Sequence, residues 1–190
     1  MLLGEIDVAL ELGRHFDELG VPWLVGGSVA SSLLGEPRAT ADVDLVADLR
    51  LPHVSPLYAR LVDTYYVDED ALRWAVKTRR TFNVIHLTSM TKADVYCSKG
   101  DALSRGQMAR RIVVETPHGS LPVTSPEDII LQKLLWFVEG GGVSDRQWRD
   151  LIGVVRVHHD KLDHAYLDTH ARDHDLVVLL AKLFESARSP

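Results

Sequence analysis

The chain has 190 residues, of which 46% are hydrophobic and 25% charged, and a formal net charge of −6. That is enough for one globular domain, or a domain with a small helical appendage, and the acidic balance argues against a large sequence-independent nucleic-acid surface. No apolar stretch reaches the length of a membrane span, no basic segment precedes an apolar one at the N-terminus, and the single Cys97 cannot form an internal disulfide, so a cytoplasmic, reducing setting with no membrane contact is expected.

Residues 5–19 carry Ile6, Val8, Leu10, Leu12 and Phe16 and stop at Gly20, which predicts an amphipathic helix. The apolar run Trp23-Leu24-Val25 predicts a short buried strand. Gly26 and Gly27 permit positive φ and close backbone approach, and Ser28 is a suitable N-cap for a helix over 28–34. Unpaired N–H groups at such a helix start, on the positive end of its dipole, suit a polyanion. Asp42 and Asp44 fall on a strand over 42–47, where residues two apart share a face. Adjacent carboxylates repel and need a compensating charge, for which a hard divalent cation is the natural choice.

Pro52 and Pro56 lead into a helix near 56–63, and Asp68 or Asp70 caps another that runs through Thr78. Phe82–Leu87 and Lys92–Cys97 read as strands, with Cys97 a core residue, and 111–115 and 121–123 as a hairpin around Pro117-His118-Gly119. Between them Lys99, Arg105, Arg110 and Arg111 are assigned to a surface loop. They form a basic cluster, as do Arg73, Lys77, Arg79 and Arg80, and either suits a triphosphate, an RNA backbone or a solvated face. Ser125-Pro126-Glu127-Asp128 opens a helix that continues through Phe137 and is broken at Gly140-Gly141-Gly142. Further helices begin near Ser144 and occupy about 160–172 and 175–187. The expected architecture is α+β, with a mixed sheet and flanking helices over 1–123 and a helical bundle over 124–190 packed on it.

Gly26-Gly27-Ser28 followed by Asp42-Val43-Asp44 resembles the signature of the nucleotidyltransferase superfamily, the fold of DNA polymerase β and the aminoglycoside nucleotidyltransferases. The fuller string Arg38-Ala39-Thr40-Ala41-Asp42-Val43-Asp44-Leu45 resembles the minimal nucleotidyltransferases and the AbiEii-like toxin branch. The resemblance covers most of residues 20–150 and implies transfer of a nucleoside monophosphate from an NTP to an acceptor hydroxyl. It implies Mg²⁺ (or Mn²⁺) held by Asp42, Asp44 and a third acid, for which Asp94 is chosen because Lys92-Ala93-Asp94-Val95-Tyr96 is similar to the family's later strand. Asp94 would serve as metal ligand or as base toward the acceptor; an edge-strand aspartate facing water is the other reading.

Gly26, Gly27 and Ser28 would hold phosphates, Arg38 would meet a phosphate or brace the aspartates, and Thr40, counted with the nucleotide-binding residues, would order the loop before the strand or touch the substrate. Ser125–Leu135 resembles the Pro-Glu-Asp helix that carries a lysine to the nucleotide, which assigns Lys133 to the site; a lysine snorkelling beside the apolar stripe is its alternative. Asp150, in Asp145–Leu151, would support Lys133 or the metal, or pair with Arg146 at i, i+4. His170 and His174 have a spacing that can bind zinc, but no glutamate sits between them as a zincin requires, and the C-terminal histidines read as solvated positions. The AbiEii-like resemblance implies tRNA or protein as acceptor and an antitoxin as partner. An inactive nucleotide- or partner-binding module and an antibiotic-modifying transferase are the alternatives.

Overall fold

The computed structural model describes residues 3–188. In chain order its elements are α1 (Leu3–Glu18), β1 (Trp23–Val25), α2 (Gly27–Leu34), β2 (Asp42–Ala47), α3 (Val54–Leu61), β3 (Tyr65–Tyr66), α4 (Glu69–Thr78), β4 (Thr81–His86) and β5 (Lys92–Cys97). They continue with α5 (Ala102–Arg110), β6 (Ile112–Thr116), β7 (Gly119–Val123), α6 (Pro126–Glu139), α7 (Asp145–His158), α8 (His164–Asp173) and α9 (Val177–Arg188). The chain divides into two compact units, one of residues up to Val29 with Arg38–Thr124, the other of Ala30–Pro37 with the residues from Ser125 onward.

The first unit is built on a mixed sheet of seven strands among the described residues, in the order β3-β4-β5-β2-β1-β7-β6. At its centre β2 runs parallel to β5 and antiparallel to β1. Both central strands alternate. Val43, Leu45 and Ala47 on β2, and Ala93 and Val95 on β5, are fully buried, while Asp42, Asp44, Asp94 and Tyr96 lie on the other, more open face. A period of two therefore separates a core face from a face that is only partly covered. From α1, Ile6, Val8, Leu12 and Phe16 are buried, and each such side chain contributes about 1.5–3 kcal/mol by leaving water. Cys97 is buried, and burial pushes its thiol up to about 11.

Helix ends follow the sequence chemistry. Asp68 accepts from the Ala71 N–H at 2.7 Å to cap α4, and Arg79 closes that helix in the left-handed region at φ 56°. Two elements of this unit have no counterpart in the sequence reading. Residues assigned to a loop form α5, capped by Asp101, which accepts from the Ser104 N–H at 2.8 Å. No residue of α5 is buried, so it carries no apolar stripe for periodicity to detect. β3 has two residues, too few for an alternation to register.

In the second unit Ser125 caps α6, accepting from the Asp128 N–H at 3.1 Å, with Pro126 at the first helical position. Ile129, Ile130, Leu134, Leu151, Val154, Leu167 and Leu183 form its core. The acids of the first turn of α6 are buried and tie it to the start of α8. Glu127 accepts the Asp163 N–H at 2.9 Å, and Asp128 accepts the Tyr166 hydroxyl at 2.7 Å. The helix expected over 160–172 starts later, at His164, because a short 3-10 turn occupies His159–Lys161.

Candidate active site

The sheet register brings the sequence motifs of the first unit together. In the parallel β2–β5 pair Asp42 lies opposite Lys92, Asp44 opposite Asp94, and Val46 opposite Tyr96. Directly opposed residues on adjacent strands have Cβ atoms about 4.5–5.5 Å apart, so Asp44 and Asp94 are neighbours on one face and Asp42 is two residues along it. Asp94 is on the same face as the Asp42–Asp44 pair and not on the core face. β5 is an interior strand, flanked by β4 and β2, so Asp94 is not an edge-strand residue.

The glycine turn sits against this face. Gly27 has φ +54°, and a Cβ there would collide with the Asp44 carboxylate, so both the backbone and the space require glycine. The helix begins at Gly27, one residue before the expected cap, which places Ser28 inside its first turn. The Ser28 N–H donates to Asp44 Oδ2 at 3.2 Å, and the Gly26 N–H donates to the Asp44 carbonyl at 2.9 Å. A carboxylate at a helix N-terminus is where the dipole favours it. Arg38 donates to Ser28 Oγ at 2.8 Å and to the Ala39 carbonyl at 3.1 Å. It therefore brings a guanidinium to the helix start. Thr40 donates to the Asp42 carbonyl at 3.3 Å, ordering the turn into β2.

Three further side chains complete the face. Lys92 Nζ donates to Asp94 Oδ2 at 2.9 Å, and Asn83, opposite Asp94 on β4, donates to Oδ1 at 3.3 Å. The Lys92 ammonium is held above its usual pKa first by the hydrogen bond to Asp94, against partial burial, and then by the charges of Asp94, Asp42 and Asp44. Burial first, then the charges of Asp44 and Asp94 and a hydrogen bond to Asp44, push the Tyr96 phenol up to about 12. Lys92 and Tyr96 were legible in principle. They flank Asp94 at i−2 and i+2, the same spacing that singled out Asp42 and Asp44. Asn83 carries no such signal, because its place depends on which strand pairs with β5.

The donor set suits a hard divalent cation in kind: carboxylate oxygens, on one face, with no sulfur or imidazole among them. Among the described residues no group of three or more His, Cys, Asp or Glu side chains converges into a ready cage. Asp44 is engaged by the start of α2, and Asp94 by Lys92 and Asn83.

The remaining expected residues lie in the second unit. Lys133 Nζ donates to Asp150 Oδ2 at 2.8 Å, and the two side chains are 3% and 6% exposed. Ser31 donates to the same oxygen at 3.4 Å. Asp150 is thus bonded to Lys133, and Lys133 is not a snorkelling surface lysine. Of the C-terminal histidines, His164 packs against Phe184 and His170 against Tyr166.

No family model matches this sequence, and no curated protein does either. Solved structures do. An antigenic nucleotidyltransferase-like protein from Paracoccidioides brasiliensis is 19% identical, with a TM-score of 0.57 over 78% of this chain and 74% of its own. The antibiotic-resistance factor ANT(2'')-Ia is 13% identical, with a TM-score of 0.57 over 96% of this chain and 98% of its own. A protein from Thermotoga maritima assigned as a nucleotidyltransferase is 14% identical, with a TM-score of 0.52 over 79% of this chain and 95% of its own. The chain has the α+β nucleotidyltransferase fold.

Proposed function

We propose that the protein is a nucleotidyltransferase that uses Mg²⁺ or Mn²⁺ and moves a nucleoside monophosphate from an NTP to an acceptor hydroxyl on RNA, such as tRNA, or on protein. The observation that carries this reading is the register of Asp44 against Asp94, which puts three carboxylates on one sheet face beside the Gly26-Gly27 turn. In-line displacement joins the acceptor oxygen to the α-phosphorus and breaks the α–β phosphoanhydride bond, so that pyrophosphate leaves. It needs the attacking hydroxyl positioned and the charge developing on the leaving oxygen neutralised. Asp42, Asp44 and Asp94 would hold the divalent ion, which when bound supplies positive charge at the reacting phosphate.

The chain's own groups do the rest. Arg38 and Ser28 bring a guanidinium and a hydroxyl to the helix start, both donors to phosphate oxygens, and the glycine turn lets backbone N–H groups approach. Asp94 orients the acceptor hydroxyl and takes its proton. Lys92 must give up its bond to Asp94 when this happens. Lys133 keeps the phosphate-directed role that the resemblance implies, with Asp150 fixing its ammonium. The Arg38–Leu45 string extends the reading to an enzyme regulated by an antitoxin partner.

A small-molecule acceptor is the second reading, favoured by the end-to-end match to ANT(2'')-Ia. One experiment separates these. Purified protein is incubated with Mg²⁺, each α-³²P-labelled NTP and, separately, total tRNA, cell protein or an aminoglycoside, with Asp42→Ala alongside. Label moved by the wild type alone establishes transfer, and the labelled fraction names the acceptor. NTP binding without label in any fraction favours a binding module with the same fold.

A further inference from the structure

The open sheet face does not end at the carboxylates. Past the C-terminal ends of β2 and β5 the alternation continues, with Leu49 fully buried on the core side and Asp48 partly exposed on the other. The Ser98 N–H donates to the Ala47 carbonyl at 2.9 Å, extending the pairing one step. At about 3.3 Å per residue, Asp48 lies about 13 Å along the face from Asp44. There the surface opens into a groove of about 460 Å³, lined by Arg50, Arg105 and Arg111 with Pro22, Met108 and Ala109 as its apolar wall.

Each guanidinium is oriented. Arg50 donates to Asp48 at 2.9 Å, Arg105 to the Gly100 carbonyl and Arg111 to the Met108 carbonyl. From behind, Arg79 donates to the carbonyls of Leu49 at 2.8 Å and Ser98 at 3.2 Å, bracing the same turn. A guanidinium has five donors in a planar fork, so one carbonyl bond fixes its direction without exhausting it. Among the lining residues three arginines face one carboxylate, Asp48, and with Lys99 and Asp101 at the start of α5 the balance stays positive in a chain whose net charge is −6.

We propose that this groove takes the phosphodiester backbone of a single-stranded nucleic acid on its way to the carboxylates. Arg50, Arg105 and Arg111 meet its phosphates, and Pro22 and Met108 lie against a base or ribose. The inference rests on the nucleotidyl-transfer reading for the destination of that strand, and on the groove alone for its binding. Arginine forks match phosphate oxygens, and a cationic groove that tracks the backbone is one half of single-strand binding, here with proline and methionine where an aromatic stacking platform would complete it. An acidic peptide would use the arginines but not the wall.

The test is binding of a short labelled single-stranded RNA by fluorescence anisotropy across a salt series. Wild type is compared with the double variant Arg105→Gln/Arg111→Gln and with Ser104→Glu. Ser104→Glu puts a carboxylate into the groove at a helix position that favours glutamate, and thermal melts confirm that each variant is folded. Both variants should bind at least about tenfold more weakly. The double variant should also lose about 1.4 from the log–log salt slope, about 0.7 for each lost phosphate contact.

Equal affinity and slope in wild type and variants would overturn the proposal. So would competition by polyglutamate as effective as that by unlabelled RNA at equal charge. NTP binding, measured in parallel by equilibrium dialysis, should be unchanged in the arginine variants. RNA bound through these arginines with no label transferred would defeat the transfer reading and leave the groove standing. Label moved to a protein or aminoglycoside without RNA binding would do the reverse.

Discussion

Two lysine–aspartate pairs of nearly equal length sit in very different surroundings. Lys92–Asp94, at 2.9 Å, has side chains 39% and 18% exposed, and Lys133–Asp150, at 2.8 Å, has 3% and 6%. In the exposed pair water screens both charges, so the bond contributes little to stability and is easily exchanged. In the buried pair each charge depends on the other, because neither can recover its hydration. The same geometry is therefore a movable contact in one unit and a fixed one in the other. The first kind can exchange its partner for a cation. The second fixes the direction of its ammonium and cannot lose either member without leaving a buried charge.

The largest effect should come from the carboxylates. Asp42→Ala is expected to lower nucleotidyl transfer by at least about 100- to 1000-fold, the scale of losing preorganised transition-state electrostatics. Its melting temperature should hold or rise slightly, because Asp42 is exposed and like-charge repulsion is relieved. Asp44→Ala should be as inactive but also less stable, since it removes the acceptor of the Ser28 N–H and of Tyr96. Transfer retained by both would end the three-carboxylate assignment. Asp150→Ala comes next, leaving the Lys133 ammonium buried without its counter-ion at a cost of about 3–5 kcal/mol, read by urea unfolding. The double variant Lys133→Met/Asp150→Leu should recover most of that loss. If it also recovers transfer, the pair is purely structural and Lys133 has no phosphate to meet.

The contrast between the pairs also shows what a sequence can carry. Gly26-Gly27-Ser28 and Asp42-Val43-Asp44 were legible because turn chemistry and a period of two are local. Asp94 was chosen because Lys92-Ala93-Asp94-Val95-Tyr96 resembles the family's later strand, where a single acid sits between apolar residues. Lys92 and Tyr96 sit at the same period and could have been read with it. Asn83 could not, since only the β4–β5 pairing brings it to Asp94. Arg105 and Arg111 were visible in a basic cluster and Arg50 was not singled out, but the helix that carries Arg105 and is capped by Arg111 has no buried face and no stripe to announce it. Its only local signal is Asp101 capping at Ser104, which composition alone does not separate from a loop.

Smaller effects sharpen the exposed pair. Lys92→Met removes the ammonium that engages Asp94 and leaves its carboxylate to Asn83 and any cation. Mn²⁺ binding without nucleotide, followed by electron paramagnetic resonance, should tighten several-fold, while stability changes by less than about 1 kcal/mol. Unchanged Mn²⁺ affinity would mean that Lys92 does not compete for the site. Weaker affinity would mean that the lysine positions Asp94 for the ion.

The smallest effect is expected at Tyr96, and it has a definite sign. The phenol's pKa stands at about 12 against an ordinary 10.0, so between these values the folded protein binds a proton that the unfolded chain has released. The contribution is then full below about pH 10 and is lost as pH rises toward about 12. Tyr96→Phe should flatten the fall of stability across that window in urea melts and leave stability near pH 7 changed only by the lost hydrogen bond to Asp44. Tyr65, also raised by burial, keeps part of the alkaline slope in either protein, so the readout is the difference between the two curves. An unchanged slope would mean that Tyr96 is not protonated against the carboxylates. A flattened slope with undiminished transfer would confine its role to holding Asp44 beside the glycine turn.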